Sequence, residues 1–147
     1  MSSLKKILLK KGYVKIPLVV TASNHLEVFA KINKVKGRFI LDTGASNTCV
    51  GLDKIDFFHL VSIDSDVLAA GAGATNMTTR LSHNNHLKIG DWKKKNQEIV
   101  LFDLSHVNTA LTAHNALPVD GIIGADILLQ SKAYIDYKNH CLYLKKK

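Results

Sequence analysis

The chain has 147 residues, 46% of them hydrophobic, with two prolines and no biased or repeated segment. That suffices for one folded domain, leaves little room for two, and excludes a disordered or low-complexity chain. The formal charge of +8 comes from lysines in short clusters: Lys5-Lys6, Lys10-Lys11, Lys93-Lys94-Lys95 and Lys145-Lys146-Lys147. A nucleic-acid surface would interleave arginines and stacking aromatics. Only Arg38, Arg80 and a solitary Trp92 are present, so the excess reads as a solvated basic surface, with a weak preference for acidic partners left open. No stretch approaches the ~20 apolar residues of a membrane span. The lysine-flanked Ile7-Leu8-Leu9 run is too short for a signal-peptide core. Cys49 and Cys141 match neither a metal-ligand spacing nor a disulfide framework. Two reduced thiols in a cytoplasmic protein, with no nucleic acid, membrane, metal or cofactor as partner, is the expectation.

Residues 1–12 read as an N-terminal extension and 13–147 as a single domain. Within the extension, residues 3–11 predict a short amphipathic helix ended by Gly12. Residues 13–20, rich in β-branched side chains, predict a strand that Pro17 pushes toward an edge or a bend. After a turn at 21–24, residues 25–32 alternate. Leu26, Val28, Ala30 and Ile32 face one way, His25, Glu27 and Lys31 the other. A hairpin turn over 33–37 leads into a strand from Arg38 to Leu41 that runs straight into Asp42-Thr43-Gly44. A short strand closes at Val50-Gly51, and Ile55, Phe58 and Leu60 predict a short helix over 53–60. Residues 66–80 carry Ala69-Ala70-Gly71-Ala72-Gly73-Ala74 at their middle, the pattern of a hairpin with a glycine-rich tip. Strands over 86–89 and 98–102 flank a lysine-rich turn at 90–97, and a helix over 105–114 ends before Pro118. Gly121-Ile122-Ile123-Gly124 reads as a buried strand, 125–130 as a helix, and 133–137 with 141–144 as a terminal hairpin. Many short strands separated by turn signals give a mostly-β fold, a small barrel.

The chemistry concentrates at Asp42. The apolar strand Phe39-Ile40-Leu41 holds it stiffly, and Gly44 allows a sharp turn through positive φ and a close approach by another backbone or a substrate. Thr43 offers a hydroxyl to lock the loop, and Ala45 and Ser46 crowd nothing. One carboxylate is a poor catalyst for amide hydrolysis. Two within ~3 Å cannot both ionise cheaply, so one keeps its proton. The ionised member takes a proton from the attacking water, while the protonated member polarises the carbonyl. The chain holds only one Asp-Thr-Gly. A two-fold homodimer supplies the second carboxylate with no further sequence.

Leu41-Asp42-Thr43-Gly44-Ala45-Ser46, followed later by Ile122-Ile123-Gly124 and a helix, resembles the retropepsins, the single-domain homodimeric aspartic proteases of retroviruses and their cellular and bacterial relatives. The resemblance covers most of 13–144. It implies a small closed β-barrel of the retropepsin type, with a flap hairpin and one to three short helices. Asp42 would be the catalytic residue, and Thr43 would knit the two catalytic loops together across the dimer. Ala70, Gly71, Ala72 and Gly73 would form the flap over the peptide or protein substrate, and Ile122, Ile123 and Gly124 would brace the loop or line the pocket. The retroviral enzymes carry an acidic residue and an arginine where this chain has Ser46 and Ala125. An ion pair that braces the viral dimers is therefore expected to be missing.

Other readings of these residues are plainer. His83-Asn84-Asn85-His86 reads as a solvent-facing turn, since no third zinc ligand is evident. Asp120 reads as a turn residue and Asp126 as a stabiliser of the first turn of its helix. Cys49 reads as core rather than nucleophile. Gly71 to Gly73 lacks the following Lys-Ser or Lys-Thr of a phosphate loop. Two rivals to an aspartic endopeptidase remain: a catalytically silent peptide-binding or dimerisation module with the same fold, and a basic nucleic-acid binder whose affinity would fall steeply with salt.

Overall fold

The computed structural model describes residues 3–71 and 74–146. Helix α1 (Ser3–Lys10) stops at Gly12, whose φ of +88° ends it. Eleven strands follow: β1 (Tyr13–Pro17), β2 (Val19–Val20), β3 (Leu26–Ile32), β4 (Val35–Leu41), β5 (Cys49–Gly51), β6 (Ile63–Gly71), β7 (Ala74–Ile89), β8 (Trp92–Phe102), β9 (Gly121–Ile123), β10 (Tyr134–Asp136) and β11 (Cys141–Lys145). Helix α2 (Ser105–Ala113) precedes β9, and α3 (Ala125–Gln130) follows it. The strands β3-β4-β9-β5-β8-β7 lie side by side, and β7 pairs back onto β3, closing a six-stranded barrel. β2 and β6 extend this sheet, while β1, β11 and β10 form a separate three-stranded sheet. The expected mostly-β barrel, the terminal hairpin and the helices expected over 3–11, 105–114 and 125–130 are present.

Inside the barrel, Ile32, Phe39, Phe58, Trp92, Ile99, Leu101 and Ile123 pack into one cluster. Outside it, Ile40, Cys49, Val100, Phe102 and Ile122 pack against Leu104, Leu111 and Val119 from the α2 segment. Strands β4 and β9 are therefore apolar on both faces, which is why Phe39-Ile40-Leu41 and Ile122-Ile123 are unbroken apolar runs rather than alternating ones. Among the described residues, no helix is long and apolar enough to cross a membrane.

Four local expectations are corrected. The turn at 33–37 is only two residues. Asn33 (φ +50°) and Lys34 (φ +73°) take left-handed backbone, the tight hairpin geometry that matches strand twist, and β4 begins at Val35. The turn at 90–97 likewise shrinks, because Trp92 pairs with Ile89 and is buried, donating Nε1–H to Lys145 O at 3.1 Å. Lys93-Lys94-Lys95 therefore lies in a strand. Residues 83–86 do not end β7. Asn84 (φ +62°) makes an irregularity there, and the buried Asn85 amide donates to Ser82 O and Oγ at 3.2 and 3.0 Å. The 53–60 helix is reduced to a 3-10 turn at Leu52–Lys54 followed by turns that bury Phe58.

Glu27 was expected to face solvent with His25 and Lys31. It lies between Val19 and Ile40 on the neighbouring strands and is 4% exposed, with the Arg38 guanidinium 3.7 Å away. Burial pushes its carboxyl above the ordinary value of 4.5, against the pull of Arg38 and His25. As pH rises through 4.5, the folded state then holds a proton that the unfolded chain has already lost. Wild-type stability declines across that window. Glu27→Gln lacks this loss, so its stability relative to wild type should rise with pH from about 4.5 upward, measured by urea denaturation across a pH series. Separately, a Cβ on Gly121 would sit 2.2 Å from Cys49 O. Gly121→Ala should cost about 3 kcal/mol or more, and an unchanged denaturation midpoint would contradict this packing.

Candidate active site

The site begins with the register of β4 on β9. The two run parallel with Phe39 opposite Gly121, Ile40 opposite Ile122 and Leu41 opposite Ile123. The ladder continues one step further, with Asp42 N–H donating to Ile123 O at 3.0 Å. Asp42 thus leaves the sheet with its backbone already fixed. The chain then turns: Ala45 N–H donates to Asp42 O at 3.2 Å, and Gly44 N–H donates to the Asp42 carboxylate Oδ1 at 2.8 Å. This last bond aims the carboxylate. Gly44 does not use positive φ, contrary to expectation. Its contribution is space, since a Cβ there would crowd Asp42 Oδ1 at 3.3 Å.

Gly124 has a stricter role. A Cβ on it would lie 2.8 Å from Ala45 O and from the Asn47 backbone, so only glycine lets β9 pass this close beneath the loop. Ala125 N–H then bonds Ala45 O at 2.7 Å, tying the loop to the start of α3. Of the residues singled out in the sequence, Asp42, Thr43, Gly44 and Ala45 are brought together with Ile122, Ile123 and Gly124. Asp42 is half-buried, while Thr43 and Gly44 are exposed. Ile122 lines the cleft beside Asp42, whereas Ile123 points into the barrel core. Ala70 and Gly71 end β6, and Gly71 pairs with Ala74 to close its hairpin with β7. Ala72 and Gly73 lie outside the described residues.

The cleft at Asp42 has a volume of about 540 Å³. Its walls are His25, Ile40, Leu41 and Ile122 on the barrel side and His106, Val107, Ala110 and Leu111 on α2. Among the described residues, Asp42 is the only carboxylate lining it. The sequence reading missed the two histidines, because His25 precedes a strand and His106 sits on a helix 64 positions from Asp42 (106 − 42). Nothing local joins them.

It also missed the brace behind the loop. Thr48 is fully buried, and its N–H and Oγ1–H both donate to Asp126 Oδ1, at 2.9 and 2.8 Å. Thr48 Oγ1 in turn accepts the Gly124 N–H at 3.1 Å, and Gln97 Nε2 reaches Asp126 Oδ2 at 3.3 Å. Asp126 does lie in the first turn of α3, but its carboxylate clamps the far end of the catalytic-type loop to that helix. Asp120, read as a turn residue, accepts the Arg38 N–H at 2.9 Å and pairs with Lys54 at 3.6 Å. Cys49 is buried, and burial pushes its thiol up to about 12, which suits a core residue and not a nucleophile. His83 faces Glu98 at 3.3 Å, and no three possible metal ligands cluster among the described residues.

The aspartyl protease family model matches residues 28–127, and the chain belongs to that family. No curated protein matches it by sequence. Its fold is that of retropepsin-like aspartic proteases. The structure is similar to a retropepsin-like aspartic protease from Rickettsia conorii, at TM-score 0.57 and 20% identity over 92% of this chain and 90% of that one. It is similar to the EIAV protease complexed with the inhibitor HBY-793, at TM-score 0.54 and 19% identity over 72% and 86%. It also resembles the retroviral protease-like domain of Ddi1 from Leishmania major, at TM-score 0.53 and 20% identity over 82% and 87%.

The Thr48 hydroxyl can be tested alone. Thr48→Val keeps the shape but leaves Gly124 N–H without its acceptor, and should lower stability by about 2 kcal/mol, read as a shifted urea midpoint. Thr48→Ser should restore most of it.

Proposed function

We propose that the protein is an aspartic endopeptidase that hydrolyses peptide bonds with a water activated between two Asp42 carboxylates, one from each subunit of a homodimer. The observation that carries this reading is the setting of Asp42: a stiffly held carboxylate on an exposed loop, aimed by Gly44 N–H, in a cleft walled by apolar side chains and two histidines with no second carboxylate among the described residues. One carboxylate there cannot both accept the water proton and polarise the carbonyl. A second copy related by a two-fold axis would bring its own Asp42 alongside, with the exposed Thr43 of each loop placed to bond the other. Close together, the two acids share one proton. The ionised one removes a proton as the water oxygen bonds to the carbonyl carbon. The protonated one donates to the developing oxyanion, and the C–N bond then breaks as the amine nitrogen is protonated.

The β6–β7 hairpin, closed by Gly71 against Ala74, is the flap in this reading. It would close over an extended peptide, exclude water and release product on reopening. The apolar walls Ile40, Ile122 and Val107 suit apolar side chains beside the cut.

Asp42→Asn keeps an oxygen to accept the Gly44 N–H, so fold and dimer should survive. Cleavage of a peptide library should fall by about a hundredfold or more. Adding an excess of Asp42→Asn protein to wild type should suppress activity further, because mixed dimers hold one carboxylate. Undiminished cleavage by the variant would refute the role of Asp42. Peptide binding with no cutting from acidic to neutral pH would identify a silent binding module instead.

A further inference from the structure

The outer face of the barrel carries a feature that peptide hydrolysis does not require. Lys36 on β4 is directly opposite Lys31 on β3. Lys31 is directly opposite Lys88 on β7, and Lys88 directly opposite Lys93 on β8. Four exposed lysines thus form a row across four neighbouring strands. Strands lie ~4.8 Å apart, so the row spans ~14 Å. Like charges directly opposite one another destabilise a sheet, and none of these four ammonium groups lies within an ion pair among the described residues. Three of the lysines line a cavity of about 500 Å³, walled on its other side by Ile16 and Pro17 of β1. Among the described residues, Asp91 is the only carboxylate there. Phe29 forms part of its wall, half-exposed, with the Lys36 ammonium 4.5 Å and the Arg38 guanidinium carbon 5.5 Å from its ring centre.

We infer that this lysine row is a docking surface for an acidic segment of the polypeptide substrate, outside the residues that enter the Asp42 cleft. Two observations select that occupant. The face is cationic, its lysines outnumbering the Asp91 carboxylate beside them, so it complements carboxylates. It is also within reach of the cleft: His25, which immediately precedes β3, lines the cleft, and Lys31 in the row lies six residues or ~20 Å further along the strand. An extended peptide covers that distance in about six residues. A single-stranded nucleic acid would need aromatic platforms for its bases, and Phe29 is the only aromatic side chain lining this cavity, its ring already engaged by the protein's own cations. The identity of the occupant as substrate rests on the protease reading above, while the docking surface itself does not.

The experiment has two arms. In the first, a fluorescein-labelled oligoglutamate peptide is titrated into the full-length Asp42→Asn protein. Binding should saturate and weaken about tenfold or more when Lys31→Glu and Lys88→Glu are combined. Lys10→Glu with Lys11→Glu, an equal charge change at the C-terminal end of α1, should alter it about twofold or less. The Lys31/Lys88 variant should melt no lower than its parent by circular dichroism, because it relieves the like-charge row. Equal weakening by both variant pairs, no saturable binding, or displacement of the peptide by less oligothymidylate than unlabelled oligoglutamate would each overturn the surface. In the second arm, wild-type protein is given peptides bearing a Glu tract or a Gln tract about six residues from the cut. The Glu tract should lower KM several-fold at unchanged kcat, and the Lys31/Lys88 variant should erase the difference. Equal KM values would overturn the substrate assignment. Failure to cut either peptide would overturn the protease reading while the first arm still decides the surface.

Discussion

The close parallel contact of β4 with β9 is the constraint on which the site depends. Two glycines fit β9 into place beside β4 by removing side chains that would collide: Gly121 against Cys49 O of β5 and the Phe39 ring of β4, and Gly124 against Ala45 O and Asn47 of the loop. With those side chains gone, Asp42 N–H reaches Ile123 O, and the loop that follows is clamped from below by Ala125 N–H and from behind by the Thr48–Asp126 pair. A loop that presents a carboxylate to a substrate must be exposed, yet catalysis by position demands that it not wander. Here the exposed residues Thr43 and Gly44 are bracketed by bonds from buried or half-buried ones. The rigidity of the loop is thus supplied by the elements beneath it.

That arrangement also explains the composition of the strands that carry it. A barrel whose outer face met water would alternate polar and apolar residues along β4 and β9. Helix α2 instead covers the outer faces of Ile40 and Ile122. The same helix supplies the second wall of the cleft, through His106, Val107 and Ala110. Its burial against the barrel and its exposure to the cleft are two sides of one element, so the helix that completes the outer core also shapes what lies next to Asp42.

Charge is distributed as unevenly as burial. The few acidic side chains near the site are committed to structure: Asp126 to Thr48, Asp120 to Arg38 N–H and Lys54, and Glu27 to Arg38. This leaves Asp42 as the acid of the cleft, and among the described residues none of Lys31, Lys36, Lys88 and Lys93 forms an ion pair. Part of the +8 excess is thereby gathered into the row of Lys31, Lys36, Lys88 and Lys93.

Much of this was legible in the linear order of residues. Alternation in β3, the unbroken apolar runs before Asp42 and around Ile122, and the Asp-Thr-Gly and Ile-Ile-Gly motifs report local periodicity and backbone freedom, which neighbouring residues determine among themselves. Turn lengths were misread because Trp92 and Val35 are drawn into strands by partners far along the chain, and a lysine run looks like a turn until a buried tryptophan pins it to a sheet. Glu27 has the period of an exposed residue and is buried because β2 and Arg38 close over it. Thr48, Asp126, His25 and His106 acquire their meaning only where the chain crosses itself. The sequence by itself determined that a barrel would form and which carboxylate would stand at its rim. The tertiary structure decided what braces that carboxylate, what walls surround it and which lysines face one another, because each of these is a contact between residues that no local spacing relates.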